Sequence, residues 1–122
     1  MIRFAIAAAI EAATGIALLI SPALAGELLL GRAPDPAGAA LCRFGGIALL
    51  FLAVACWPEQ GSRAISPAAR RAIWLFQPAA AACLLWVAFG FGLRGPVLWP
   101  AVAYHLAAAV ALGRGARRWQ SP

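Results

Sequence analysis

The chain has 122 residues, of which 64% are hydrophobic and 11% charged, and its formal net charge is +6. Soluble domains run at roughly 45–50% apolar and about 25% charged, and a domain this small has too much surface to hide the excess. Two ordinary domains and an ordinary soluble one are both excluded, so residues 1–122 read as a single integral membrane domain with the lipid bilayer as its solvent.

The basic balance comes from ten Arg and no Lys against four acids. In a soluble protein that would suggest nucleic acid. Here the Arg residues gather at the ends of apolar runs, where they orient helices and meet anionic headgroups, so nucleic acid is set aside as a partner. Arg without Lys, beside abundant Ala, is the usage of a GC-rich bacterial genome. The expected location is therefore a bacterial inner membrane, crossed several times.

A bilayer core of about 30 Å needs about 20 helical residues. The first apolar run, about 2–24, meets that length and carries Glu11 near its middle. Met1-Ile2-Arg3 at its start and Ala23-Leu24-Ala25 near its end also imitate a cleaved signal peptide. Against cleavage, the run exceeds the usual 7–15 apolar residues and contains a carboxylate. Residues 22–30 form an extra interfacial turn after Pro22, since Glu27 is followed by three leucines. Gly31-Arg32-Ala33-Pro34-Asp35-Pro36 is a turn that neither proline lets become helix.

The second run, about 37–57, holds Arg43 and stops at Pro58-Glu59-Gln60-Gly61-Ser62-Arg63. Ser66-Pro67 is an N-cap followed by proline at the first helical position. The third run, about 72–92, contains Gln77-Pro78. Arg94-Gly95-Pro96 separates it from the fourth, about 97–113, which has Trp99 as an interfacial anchor and carries Tyr104 and His105. A basic tail, 114–122, follows. Short turns make consecutive spans antiparallel neighbours.

With the N-terminus cytoplasmic, that face holds Arg3, Arg63, Arg70, Arg71, Arg114, Arg117 and Arg118, and the opposite face only Arg32 and Arg94. Seven against two is a positive-inside bias. The expected fold is all-α: an antiparallel bundle of four transmembrane helices with both termini cytoplasmic.

A charge at the centre of a membrane helix costs about 2.5–3.5 kcal/mol on the insertion scale, which several Leu or Ile outweigh, so charged groups should turn inward and pair. Glu11 lies roughly 13 Å from the cytoplasmic end of its helix, Arg43 roughly 9 Å from the outer end of the second, and His105 roughly 12 Å below the outer surface. Glu11 is expected to pair with Arg43, with His105 placed to bond either one. Thr14 shares the face of Glu11, and Gln77 and Tyr104 complete a polar layer drawn from all four spans. Three readings stay open: an ion pair that only fixes which helices pack, a site for a lipid-soluble molecule or partner subunit, and a proton-coupled path.

The remaining chemistry-bearing residues have plainer readings. His105 is the only His and no Cys stands at ligand spacing, so no metal or haem site is expected. Cys42, Cys56 and Cys83 lie singly in apolar runs and read as small, buried, inert packing residues. Trp57, Trp74, Trp86, Trp99 and Trp119 read mostly as interfacial belts. Phosphate loop, nucleophile elbow and paired carboxylates are all missing from the sequence, so catalysis by this chain alone is not expected. The pentapeptide Gly-Ile-Ala-Leu-Leu occurs at 15–19 and at 46–50, either as the trace of a helix repeat or by coincidence in a biased composition.

The segment Glu11-Ala-Ala-Thr-Gly-Ile-Ala-Leu-Leu-Ile-Ser-Pro, then Arg43-Phe-Gly-Gly-Ile-Ala-Leu-Leu, then Leu98-Trp-Pro-Ala-Val-Ala-Tyr-His105 resembles the small four-helix bacterial proteins grouped with DoxX-like membrane proteins. That resemblance implies a four-helix inner-membrane bundle and, for the better-known members, a subunit role beside quinone-linked redox enzymes. Glu11 with Thr14-Gly15 is also similar to the first helix of small multidrug-resistance transporters, which implies a coupling role for Glu11. The expected function is an accessory or structural subunit that binds a partner protein or an apolar small molecule such as a quinone or lipid, within a membrane complex or homo-oligomer. A proton-coupled exporter of small cationic solutes is the alternative.

Overall fold

The computed structural model describes residues 2–57 and 65–117, with side chains as far as Arg114. Glu59, Arg63, Arg118 and Trp119 and the side chain of Arg117, all used in the charge and aromatic readings, lie outside the described residues. Among the described residues five helices form: α1 Ile2–Ile20, α2 Pro22–Leu30, α3 Pro36–Ala55, α4 Pro67–Gly90 and α5 Leu98–Arg117. Of these, α1, α3 and α4 are long and apolar enough to cross a membrane. At 20 residues α5 has the length, but Pro100, Tyr104, His105 and Arg114 dilute its apolar character.

Prolines mark three of the helix starts. Pro22, Pro36 and Pro67 each stand in the first turn, where a missing N–H costs nothing. Asp35 caps α3, its Oδ1 accepting from the Gly38 N–H at 2.7 Å, and Ser66 caps α4, its Oγ accepting from the Ala69 N–H at 3.1 Å. The first apolar run therefore breaks at Ser21-Pro22 instead of continuing to residue 24, because Pro22 has no N–H to extend the α1 ladder. The interfacial turn expected after it is a full nine-residue helix. The cap at Ser66 starts α4 five residues earlier than its apolar run, taking Arg70 and Arg71 into the helix.

The carbonyls ending α2 lack helical partners of their own, as at any helix terminus. Gly31, at φ 77°, donates its N–H to Glu27 O at 3.0 Å. From the α4–α5 connection, Gly95 N–H donates to Leu29 O at 3.0 Å and Val97 N–H to Leu28 O at 2.9 Å. A Cβ on Gly95 would collide with the Leu28 carbonyl, so the clasp requires glycine there.

The long helices sort into two closely packed antiparallel pairs, α1 with α3 and α4 with α5, which meet one another more sparsely. In the first pair Gly15 and Gly46 face each other. A Cβ on Gly15 would come within 2.7 Å of Gly46 O, and one on Gly46 within 2.6 Å of Gly15 O. Around them the contacts are reciprocal, Gly15 against Leu49 and Leu50, Gly46 against Leu18 and Leu19. Both halves of the repeated pentapeptide thus lie at one crossing, related by a local two-fold, and small residues there let the backbones touch.

In the second pair the Trp74 indole N–H donates to Ala109 O at 3.0 Å, and Gly113 leaves room for that ring. Ala88, Leu98 and Val102 bury against each other near the α2 end. Across the seam between the pairs, Ala7, Ala8, Ala53, Cys56, Ile65, Ala69, Ile73 and Leu112 form a core at the end of the bundle where α1 begins and α5 ends.

Candidate functional site

Glu11, 2% exposed, sits near the middle of α1, and Gln77, fully buried, near the middle of α4. Gln77 Nε2 donates to Glu11 Oε1 at 3.0 Å. On its other side Gln77 Oε1 lies 2.7 Å from His105 Nδ1 on α5. An amide oxygen carries no hydrogen, so Nδ1 is the donor in that bond. One amide thus links a carboxyl on the first helix pair to an imidazole on the second. His105 is held by edge-on ring contacts as well, with Phe76 at 5.9 Å and Tyr104 at 5.0 Å between centroids.

Three of the six residues expected in the polar core therefore form a continuous chain. The expected Glu11–Arg43 pair does not exist. Arg43 is exposed, and no described arginine forms an ion pair with Glu11. The reason is register. With Gly15 opposite Gly46 in antiparallel helices, Glu11 stands level with Leu50 and Arg43 level with Leu18, seven residues or about 10 Å apart along the axis. Arg43 also points outward, among the exposed Leu41, Phe44, Ile47 and Phe51.

Thr14 does not join the chain either. Its Oγ1 donates to Ile10 O at 2.9 Å, a bond internal to α1. Tyr104 packs on His105, but its buried hydroxyl has no hydrogen-bond partner among the described residues. Of the cysteines only Cys56 is buried, its thiol donating to Ala69 O at 3.3 Å. Cys83 is exposed, so the expectation of three buried cysteines fails there.

A groove of about 240 Å³ runs beside the polar chain between α1 and α5. Ile6 and Ala7 form one wall and Ala107, Ala108, Ala111 and Leu112 the other, with Tyr104 at one end and Arg3 at the other. Arg3 donates to Ala111 O at 3.2 Å across the mouth. Sequence reasoning placed Tyr104 in the polar layer but missed the groove.

No family model, no curated protein and no solved structure matches this chain.

Proposed function

We propose that the chain is a four-span inner-membrane protein with both termini cytoplasmic. Its role is that of an accessory subunit holding an apolar small molecule, a quinone or a lipid, in the α1/α5 groove. Membrane residence is supported by three helices of spanning length and apolarity. The orientation is supported by Arg3, Arg70, Arg71 and Arg114 at the end of the bundle where α1 begins and α5 ends, against Arg32 and Arg94 at the other. The DoxX-like resemblance rests on the three quoted motifs alone.

The observation that carries the reading is the Tyr104 hydroxyl. A buried hydroxyl without a partner costs about 1–3 kcal/mol, and this one belongs to a residue lining an otherwise apolar groove. A molecule with an apolar body and a carbonyl acceptor, the chemistry shared by quinones and lipid esters, would meet that need once the Tyr104 ring turns its hydroxyl toward the groove. Gentle purification from native membranes followed by solvent extraction tests it. Quinones are read by their redox absorbance and lipids by headgroup phosphate. Tyr104→Phe should lower retention about fivefold, the equivalent of roughly 1 kcal/mol, and Ala108→Phe, which fills the groove, should abolish it. Equal retention in all three proteins would overturn the proposal.

One observation favours the exporter alternative. Among the described residues no cation pairs with Glu11, whose carboxyl is held there by the Gln77 amide. Proteoliposomes with an imposed proton gradient decide the matter. Uptake of a small cationic solute that disappears in Glu11→Gln, with the fold retained, would replace the accessory role.

A further inference from the structure

The chain Glu11–Gln77–His105 does more than join helices. A primary amide has two unlike ends, and here both are engaged by buried or half-buried groups that carry exchangeable protons. As found, the NH₂ faces Glu11 and the oxygen faces His105. That orientation suits a Glu11 carboxylate, which only accepts, and a His105 that carries its hydrogen on Nδ1. If Glu11 gains its proton on Oε1, the oxygen that faces Gln77, the new O–H points at the amide NH₂ and has no acceptor there unless the amide turns over. An orphaned donor in so dry a place costs about 1–3 kcal/mol. Rotation of the Gln77 amide by half a turn removes that cost, and it forces His105 to present a lone pair at Nδ1.

We propose that Glu11, Gln77 and His105 form a proton-uptake site in which protonation of Glu11 flips the Gln77 amide and moves the His105 proton from Nδ1 to Nε2. The balance closes on one proton taken from bulk water. It adds to a Glu11 carboxylate oxygen, whose O–H then donates to Gln77 Oε1. Gln77 Nε2 donates to the Nδ1 lone pair of His105. Nδ1 gives its proton to water and Nε2 takes one from water, so the imidazole remains neutral and the net uptake is the single proton on Glu11. Uptake on α1, in one helix pair, is thereby reported on α5, in the other. The device stands whether or not the neighbouring groove takes a ligand.

The other groups facing this site are few. Cys56, at the end of α3, has its thiol engaged by Ala69 O, and Tyr104, on α5, packs its ring on His105. Gln77 brings no charge from α4, whose Arg70 and Arg71 lie about 10 Å away along the helix. Arg3, on α1 itself, is about 12 Å toward the end, and Arg43, on α3, about 10 Å toward the other. Glu27 on α2 stands at the opposite end of the bundle from Cys56.

His105 is the only histidine in the chain, so histidine labelled with ¹⁵N gives one pair of ring resonances. The full-length protein in phosphatidylcholine vesicles is titrated by solid-state NMR, with the Glu11 carboxyl followed by infrared difference against Glu11→Gln. The expected result is Nδ1–H at high pH, changing to Nε2–H on acidification with the same midpoint as the Glu11 carboxyl. Glu11→Gln should abolish the tautomer change, and Gln77→Leu should leave Glu11 titrating while His105 no longer follows. An unchanged tautomer while Glu11 protonates, or two separate midpoints in the wild type, would overturn the proposal. Both are read without needing Gln77→Leu to fold.

Discussion

The two helix pairs are held together in different ways. In α1/α3 no side-chain hydrogen bond joins the helices among the described residues, and contact is backbone on backbone through Gly15 and Gly46. In α4/α5 the backbones approach at fewer places and the helices are joined by side chains: the Trp74 indole to Ala109 O, Gln77 to His105, and aromatic edges such as Phe89 against Trp99. Lipid offers no hydrophobic drive to push helices together, so association rests on close van der Waals packing or on polar links. This chain uses one device in each pair. A polar side chain at the α1/α3 crossing would have no room, and Glu11 accordingly turns across the seam toward α4.

That contrast can be broken deliberately. Gly46→Val should have the largest effect, about 3 kcal/mol by detergent unfolding, because its side chain meets a carbonyl that cannot swing aside. The neighbouring Gly45 has nothing within 4 Å of an added Cβ, so Gly45→Val should leave stability unchanged and serves as the internal control. Equal losses at both positions would mean that general helix propensity, not the crossing, is being read. Trp74→Phe keeps the ring and removes one interhelical bond, and should cost about 0.6 kcal/mol. The smallest effect belongs to Arg43→Gln, within about 0.5 kcal/mol. Combined with Glu11→Gln it should be additive to about 0.3–0.5 kcal/mol, and a larger coupling would restore the ion pair that the register denies.

Much of the helical layout was legible in the residues. The Ser66-Pro67 cap announces its helix start by chemistry that needs no tertiary context, whereas Pro22 reads as part of the first apolar run and Pro36 as part of a turn, although both open helices. The polar site was half legible. Glu11, Gln77 and His105 could be singled out as costly in lipid, but depth counted along separate helices cannot fix how far one slides against another. The repeated pentapeptide held that information, since two glycines that must touch set the register and separate Arg43 from Glu11. Gln77 was noticed as polar without its defining property, that it can donate to a carboxyl and accept from an imidazole at once. The Tyr104 groove was not legible, because a gap depends on what the facing helix fails to supply.

The clasp between α2 and the α4–α5 connection has a consequence for how such a chain is made. Leu28 and Leu29 leave the ribosome more than sixty residues before Gly95 and Val97, the donors their carbonyls await. Until then water at the bilayer face must solvate those two oxygens, and the early hairpin stays unlatched. Closure waits until residues 95–97 have emerged, which makes them the segment whose truncation should trap an early, unlocked intermediate.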